Sequence, residues 1–212
     1  MSYFRALAYG VNPPVNTAEP AGAVLWFRSR PSGYLRVIAE FPFVQLDEKQ
    51  LVVEVLKRDA ELHAGPIDFT VASPALFPKK IDSYPGLIGE YISTRLSGYG
   101  LPLVPADDDE INGWARVQAM FEAGPTGEPW MTLDPSCEVL VKHLGNALSD
   151  ESRPDDLAAY SPLLTALRFG VMSQPASGDS ASAKADPPFG SPAYYMARER
   201  QSGQRKFGQV RS

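Results

Sequence analysis

Residues 159–173 read AYSPLLTALRFGVMS, the last helical stretch before the composition changes. Two starts are open for this helix. It begins near Asp156, or at Ser161 with Pro162 in the first helical position, where a missing N–H costs nothing. From Gln174 the chain becomes Ser/Ala/Pro/Gly-rich (QPASGDSASAKADPPFGSP). Such a segment lacks the apolar surface to offset its ordering entropy. The division predicts one folded domain, 1–173, and a flexible tail, 174–212, disordered unless bound. The tail carries six basic and three acidic residues, a net +3, which leaves −8 of the total −5 on residues 1–173.

Working back toward the N-terminus, Asp108–Glu122 reads as a helix with Ile111, Trp114, Val117 and Phe121 spaced to share a face. Trp130–Leu133 is a short strand. Ser136 opens a helix on which Cys137, Leu140, Val141, Leu144 and Leu148 recur at helical spacing. Earlier still, Tyr3–Tyr9, Ala23–Arg28 and Tyr34–Phe41 are strands separated by Asn12-Pro13-Pro14 and Arg30-Pro31-Ser32-Gly33 turns. Asp47 and Gln50 have the spacing of a capping box, and Leu51, Val52, Val55, Leu56 and Leu62 follow on one helical face until Gly65-Pro66 stops it. Ile67–Ala72 is a fourth strand, Gly86–Ser97 a weaker helix and Leu101–Val104 a fifth strand. Strands first, then alternating helices and strands, predict an α/β domain whose mixed sheet is covered on both faces.

Composition narrows the function classes. A single cysteine, Cys137, permits no internal disulfide framework, and two histidines, His63 and His143, are too few for a histidine-rich metal site. Cys137 reads as a small buried hydrophobe. His143 reads as a surface or boundary residue, and His63 as a partner of its helix C-terminus. No serine lies in a G-x-S-x-G surround. No phosphate-cradling GxxxxGK[ST] loop occurs, so any ATPase would be another chain. The lack of an 18-residue apolar run or a signal-peptide pattern predicts a soluble, intracellular protein without membrane contact.

Between Asn112 and Ser173 the pieces Asn112-Gly113-Trp114-Ala115-Arg116-Val117, Glu128-Pro129-Trp130, Pro135-Ser136-Cys137 and Ala166-Leu167-Arg168-Phe169-Gly170-Val171-Met172-Ser173 occur in order. Together they resemble the C-terminal nuclease domain of phage large terminase subunits, the DNA-packaging motor proteins. The first 110 residues match more loosely, through strand order, Ala72-Ser73-Pro74 and Glu40. The resemblance implies a ribonuclease-H-like fold, a mixed central sheet flanked by helices. It implies carboxylates at the ends of adjacent strands and on the last helix, holding a pair of Mg²⁺ or Mn²⁺ ions. Two such cations about 3.5–4 Å apart clamp the attacking and leaving oxygens of a phosphodiester.

The residues at those positions depart from the pattern. Ala8 ends the first strand in place of an acid, and Ser73 precedes the proline after the fourth. Thr165 and Ser161 stand five and nine residues before Gly170, where the family has acids. The expectation is therefore a non-catalytic, terminase-nuclease-like protein of phage or prophage origin that needs no metal. It would serve DNA packaging or head–portal assembly, in the host cytoplasm or on the virion. The alternative is an active metal-dependent DNA endonuclease that recruits Glu40, Asp68 and the run Asp107, Asp108, Asp109 as ligands; the run otherwise reads as a solvated helix cap. A third reading takes the protein out of packaging altogether, binding an unrelated partner. Lys79, Lys80 and Arg116 are candidates for touching DNA phosphates. The tail residues Tyr194, Tyr195, Arg198, Arg200, Arg205 and Lys206 suit a protein groove or a nucleic-acid backbone. By resemblance the partner is a portal protein or a separate terminase ATPase chain.

Overall fold

In the computed structural model, which describes residues 1–9, 20–44, 46–62, 65–77, 91–149 and 161–174, the N-terminal strands follow their side-chain alternation. Strands β1 (Ser2–Tyr9), β2 (Gly22–Ser29) and β3 (Leu35–Phe43) form an antiparallel meander. Phe4, Ala6 and Ala8 of β1 and Ala23, Leu25 and Phe27 of β2 enter one core, while Leu7, Val24 and Trp26 enter a second. Both faces are apolar, the composition of strands covered on two sides.

Helix α1 (Glu48–Glu61) begins at the expected capping box, with Asp47 and Gln50 each bonding the other's backbone N–H. It leads to β4 (Ile67–Ala72), which lies parallel to β1. Next come α2 (Ile92–Gly98) and β5 (Val104–Pro105), the latter parallel to β4. Helix α3 (Glu110–Met120) precedes β6 (Met131–Leu133), which pairs parallel with β3 at the far edge. Helices α4 (Glu138–Ser149) and α5 (Pro162–Met172) follow. The sheet order is β5-β4-β1-β2-β3-β6. An antiparallel meander with parallel strands added beside its first member is the expected ribonuclease-H-like arrangement, and β6 extends it at the opposite edge. No helix among the described residues is long and apolar enough to cross a membrane.

Helices α1 and α2 cover one face through Leu51, Val52, Val55 and Leu96, and α3, α4 and α5 cover the other. A buried polar clamp holds α1 down. Asp59 accepts from Trp26 Nε1 at 2.7 Å and pairs with Arg5 at 2.6 Å, while Arg5 Nε donates to Thr70 Oγ1 at 2.9 Å. Burial pulls the Arg5 pKa below its ordinary value, against the opposing pull of Asp59.

Three local expectations shift. The fifth strand is Val104–Pro105 instead of Leu101–Val104, because Leu101 belongs to the end of α2. Gly100 takes φ +100°, its N–H bonds to Ser97 O, and Leu101 N–H bonds to Leu96 O. This is a Schellman stop with its hydrophobic contact between Leu96 and Leu101. The helix expected over 86–97 is Ile92–Gly98 where described; residues 78–90 lie outside the described residues. Ile111, expected on the apolar face of α3, is 83% exposed, and Gly113, Val117 and Met120 are buried instead. Leu56, Val141 and Phe121 are likewise exposed.

The α5 helix starts at Ser161, the second of its two possible starts, with Pro162 in the first turn. It lies so close to β2 that a Cβ on Gly170 would sit 2.1 Å from Phe27 Cζ. Replacing a mid-helix glycine with alanine ordinarily stabilises by about 1 kcal/mol. Here the sign reverses: Gly170→Ala is expected to destabilise by about 1–3 kcal/mol through overpacking, read as a lower urea midpoint.

Candidate functional site

Parallel pairing of Leu7 with Ala72 makes Ala8 and Ser73 the next residues at one end of the adjacent strands β1 and β4, and α5 packs on both strands. Ala8 is buried in the same core as Leu163, Leu164 and Ala166 of α5. Ser73 turns its hydroxyl to the N–H of Ala75 at 3.4 Å, capping the 3-10 turn Pro74–Leu76. Ser161 is buried, accepts from Leu164 N–H at 3.4 Å, and shares a 2.6 Å hydrogen bond with Nδ1 of the half-buried His143 on α4. Thr165 lies one turn along α5, half-buried, its N–H bonded to Ser161 O.

The donor set at this edge is thus a methyl group and three neutral hydroxyls, of which the Ser73 and Ser161 hydroxyls already serve backbone caps. Paired Mg²⁺ or Mn²⁺ ions require several anionic oxygens to offset their mutual repulsion. These residues do not fit that pair.

The alternative acids do not converge to replace them. Glu40, on β3, accepts from Val139 N–H at 2.8 Å through one oxygen and from Leu140 N–H at 2.7 Å through the other. Both donors lie in the first turn of α4, whose partial positive charge the carboxylate complements. Asp68 is exposed near the start of β4 and accepts from the Ser2 hydroxyl. Five residues of strand separate it from Ser73, roughly 16 Å. In the acidic run, Asp107 accepts from Asp109 N–H at 2.9 Å, and Asp108 accepts from Arg168 at 3.1 Å. Asp109 caps α3 through Asn112 N–H at 3.0 Å. That backbone bond from Asn112 is the main reason the Asp109 pKa falls below its ordinary value. Among the described residues no group of three or more His, Cys, Asp or Glu side chains is placed to hold a metal.

The residues that carried the resemblance have packing roles. Asn112 completes the cap at Asp109, using both its backbone N–H and its side-chain amide. Gly113 leaves room for Arg168 of α5, whose Cγ would lie 2.7 Å from a Cβ there. Arg168 is nearly buried, reaches past Gly113 to Asp108, and lies over the Phe169 ring at 4.9 Å. Trp130 tilts against Tyr34 with ring centroids 5.0 Å apart. Cys137 is fully buried beneath the start of α4, and burial chiefly, with Glu40 and Asp134 adding to it, pushes its thiol up to about 12.

Arg116 is exposed on α3. Lys79, Lys80, His63 and the tail residues Tyr194, Tyr195, Arg198, Arg200, Arg205 and Lys206 lie outside the described residues. Sequence reasoning missed the Glu40 cap and the His143–Ser161 bond. Neither has a local signal, since the Glu40 contacts span 99 and 100 residues and the histidine contact spans 18.

No protein-family model and no curated protein matches the chain. Among solved structures, the chain is similar to the crystal structure of the g2p large terminase nuclease domain from bacteriophage SPP1 with bound Mn. Identity is 14% over 80% of this chain and 84% of that one, with a TM-score of 0.45. The strand order above stands independently of that likeness.

Three outcomes follow from the geometry. Removing the Glu40 carboxylate (Glu40→Ala) leaves two helix N–H groups unserved and is expected to cost about 1–2 kcal/mol in urea unfolding. Asp68→Asn, on an exposed side chain, is expected to stay within about 0.5 kcal/mol. Cys137, buried and held protonated, is expected to resist Ellman's reagent at pH 8 in the native protein and to react fully in 6 M guanidinium.

Proposed function

We propose that this chain is a non-catalytic, terminase-nuclease-like protein of phage or prophage origin that serves DNA packaging or head–portal assembly as an accessory or structural component. The single observation that carries the non-catalytic part is the chemistry at the end of β1 and β4. Where the motif resemblance expects metal-holding acids stand Ala8, Ser73, Ser161 and Thr165, while Glu40 and the 107–109 acids serve helix caps, an Asx turn and an ion pair. Around that edge the motif residues keep the helix contacts, so the scaffold and the chemistry separate residue by residue.

The packaging role rests on the resemblance of the segments between Asn112 and Ser173 and on the sheet order. Its partner would be a portal protein or a separate terminase ATPase chain. DNA is a further partner, met through surface cations such as Arg116 or through the basic tail.

The test is nuclease activity at high protein excess. Supercoiled plasmid incubated with Mn²⁺ is expected to remain supercoiled. Nicking by the wild type that disappears in an Asp107→Asn/Asp108→Asn/Asp109→Asn variant or in Glu40→Gln would instead establish an active endonuclease with unusual ligands. For the packaging role, immobilised full chain is expected to retain a portal or terminase ATPase subunit, and residues 1–173 alone to lose it. Retention of neither subunit by the full chain would remove the role.

A further inference from the structure

Opposite the neutral edge, the β2–β3 hairpin gathers positive charge. Arg28 and Arg36 are direct cross-strand partners, and Arg30 follows in the turn. Arg28 pairs across to Tyr3 at the start of β1, five residues before Ala8, which places it roughly 16 Å from the vacated edge. The three arginines line a groove of about 350 Å³ with Tyr34, Thr132 and Glu128.

Like charges directly opposite in a ladder repel, and guanidinium groups do not shed their protons to relieve it. Arg36 has one carboxylate partner, Asp134 at 2.6 Å. Arg28 and Arg30 have no carboxylate partner among the described residues, and Glu128 is the single acid lining the groove. The Nε atoms of both Arg28 and Arg36 are buried without an acceptor. Three guanidinium groups lining one groove, two of them without a carboxylate partner among the described residues, describe half of a hydrogen-bonded site whose other half is an anion.

We propose that this groove binds a phosphate group carried on a nucleotide unit, either free or within a single strand. Guanidinium forks match phosphate oxygens bidentately, and several donors converging on one group suit phosphate's three or four acceptor sites. The groove has room for about a dozen waters at their liquid volume, more than a lone carboxylate needs and enough for a phosphate with its sugar. Tyr34 supplies a flat wall for a base or sugar. Its ring is held against Trp130, and its hydroxyl bonds Thr126 at 2.6 Å, so it is already oriented. Thr132 adds a hydroxyl donor. This site lies apart from the edge discussed under the proposed function and does not depend on it.

The experiment uses the full chain in 50 mM NaCl with dTMP and a fluorescein-labelled single-stranded oligothymidylate as probes, read by calorimetry and anisotropy. Arg28→Gln and Arg30→Gln are expected to weaken binding at least tenfold, and the exposed Lys57→Gln to leave it unchanged. Because neither Arg28 nor Arg30 holds an ion pair, both variants are expected to keep the wild-type thermal midpoint or exceed it, which separates lost binding from lost folding. dTMP binding with this dependence identifies a free nucleotide as sufficient; oligothymidylate binding alone identifies a strand. Affinities equal in wild type and both arginine variants, or absent for both probes, would overturn the site. So would a glutamate-rich peptide that binds the groove uncompeted by either probe.

Discussion

The contact of Gly170 with the Phe27 ring sets the distance from α5 to the sheet, and much else is referred to it. Phe27 is fully buried and stacks on Phe4 of β1 at 5.0 Å, so the ring cannot yield without disturbing two strands. A helix with any side chain at position 170 would have to stand further off. With glycine there, α5 lies low enough to bury nearly all of its length, and Leu163 and Leu164 of its first turn join the core that holds Ala8 of β1 and Val71 of β4. Gly113 has a corresponding place between α3 and α5, where it admits the stem of Arg168. Two missing Cβ atoms thus govern how the three-helix face closes.

That close approach makes the chemical character of the edge consequential. Carboxylates converging in so dry a place would need cations to hold them, because unpaired buried charge is costly. With alanine, serine and threonine there, the same packing is satisfied without ions. Ser161 illustrates the exchange: its hydroxyl serves as a helix cap and as the partner of His143, two neutral roles in the space where the family resemblance expects an anion. Glu40 shows the complementary case. Its carboxylate is retained but directed at the first turn of α4, where backbone N–H groups balance it without a metal.

Charge is accordingly distributed by structural need. Asp59 neutralises Arg5 under α1, Asp108 answers Arg168, and Asp134 answers Arg36. The hairpin arginines Arg28 and Arg30 have no such answer among the described residues. Residues 1–173 carry −8 in total, yet Arg28 and Arg30 line one groove without an ion-pair partner among the described residues. A cationic groove on an acidic body focuses anions locally, since wall shape and desolvation matter more at short range than net charge.

Local pattern by itself determined the parts of this protein whose causes lie within a few residues. The Asp47–Gln50 box follows from capping geometry, and β1 to β3 from strand-forming residues between turns, while the choice of Ser161–Pro162 over Asp156 as the start of α5 was left to the fold. The same reading identified the neutral residues at the strand ends, because identity alone says that a methyl group or a hydroxyl is no anion. Tertiary structure decided the rest. Which face of α3 is buried depended on Arg168 from a helix some fifty residues on, so Ile111 was left in solvent while Gly113 went inside. Leu101, apolar like a strand residue, was taken up by the stop of α2. The fate of Glu40, and the meeting of Arg28 with Arg36, rest on strand register and on helices placed far along the chain. Propensity and capping act through neighbours in sequence, whereas the partner of a charged side chain is whatever the fold brings within hydrogen-bond reach.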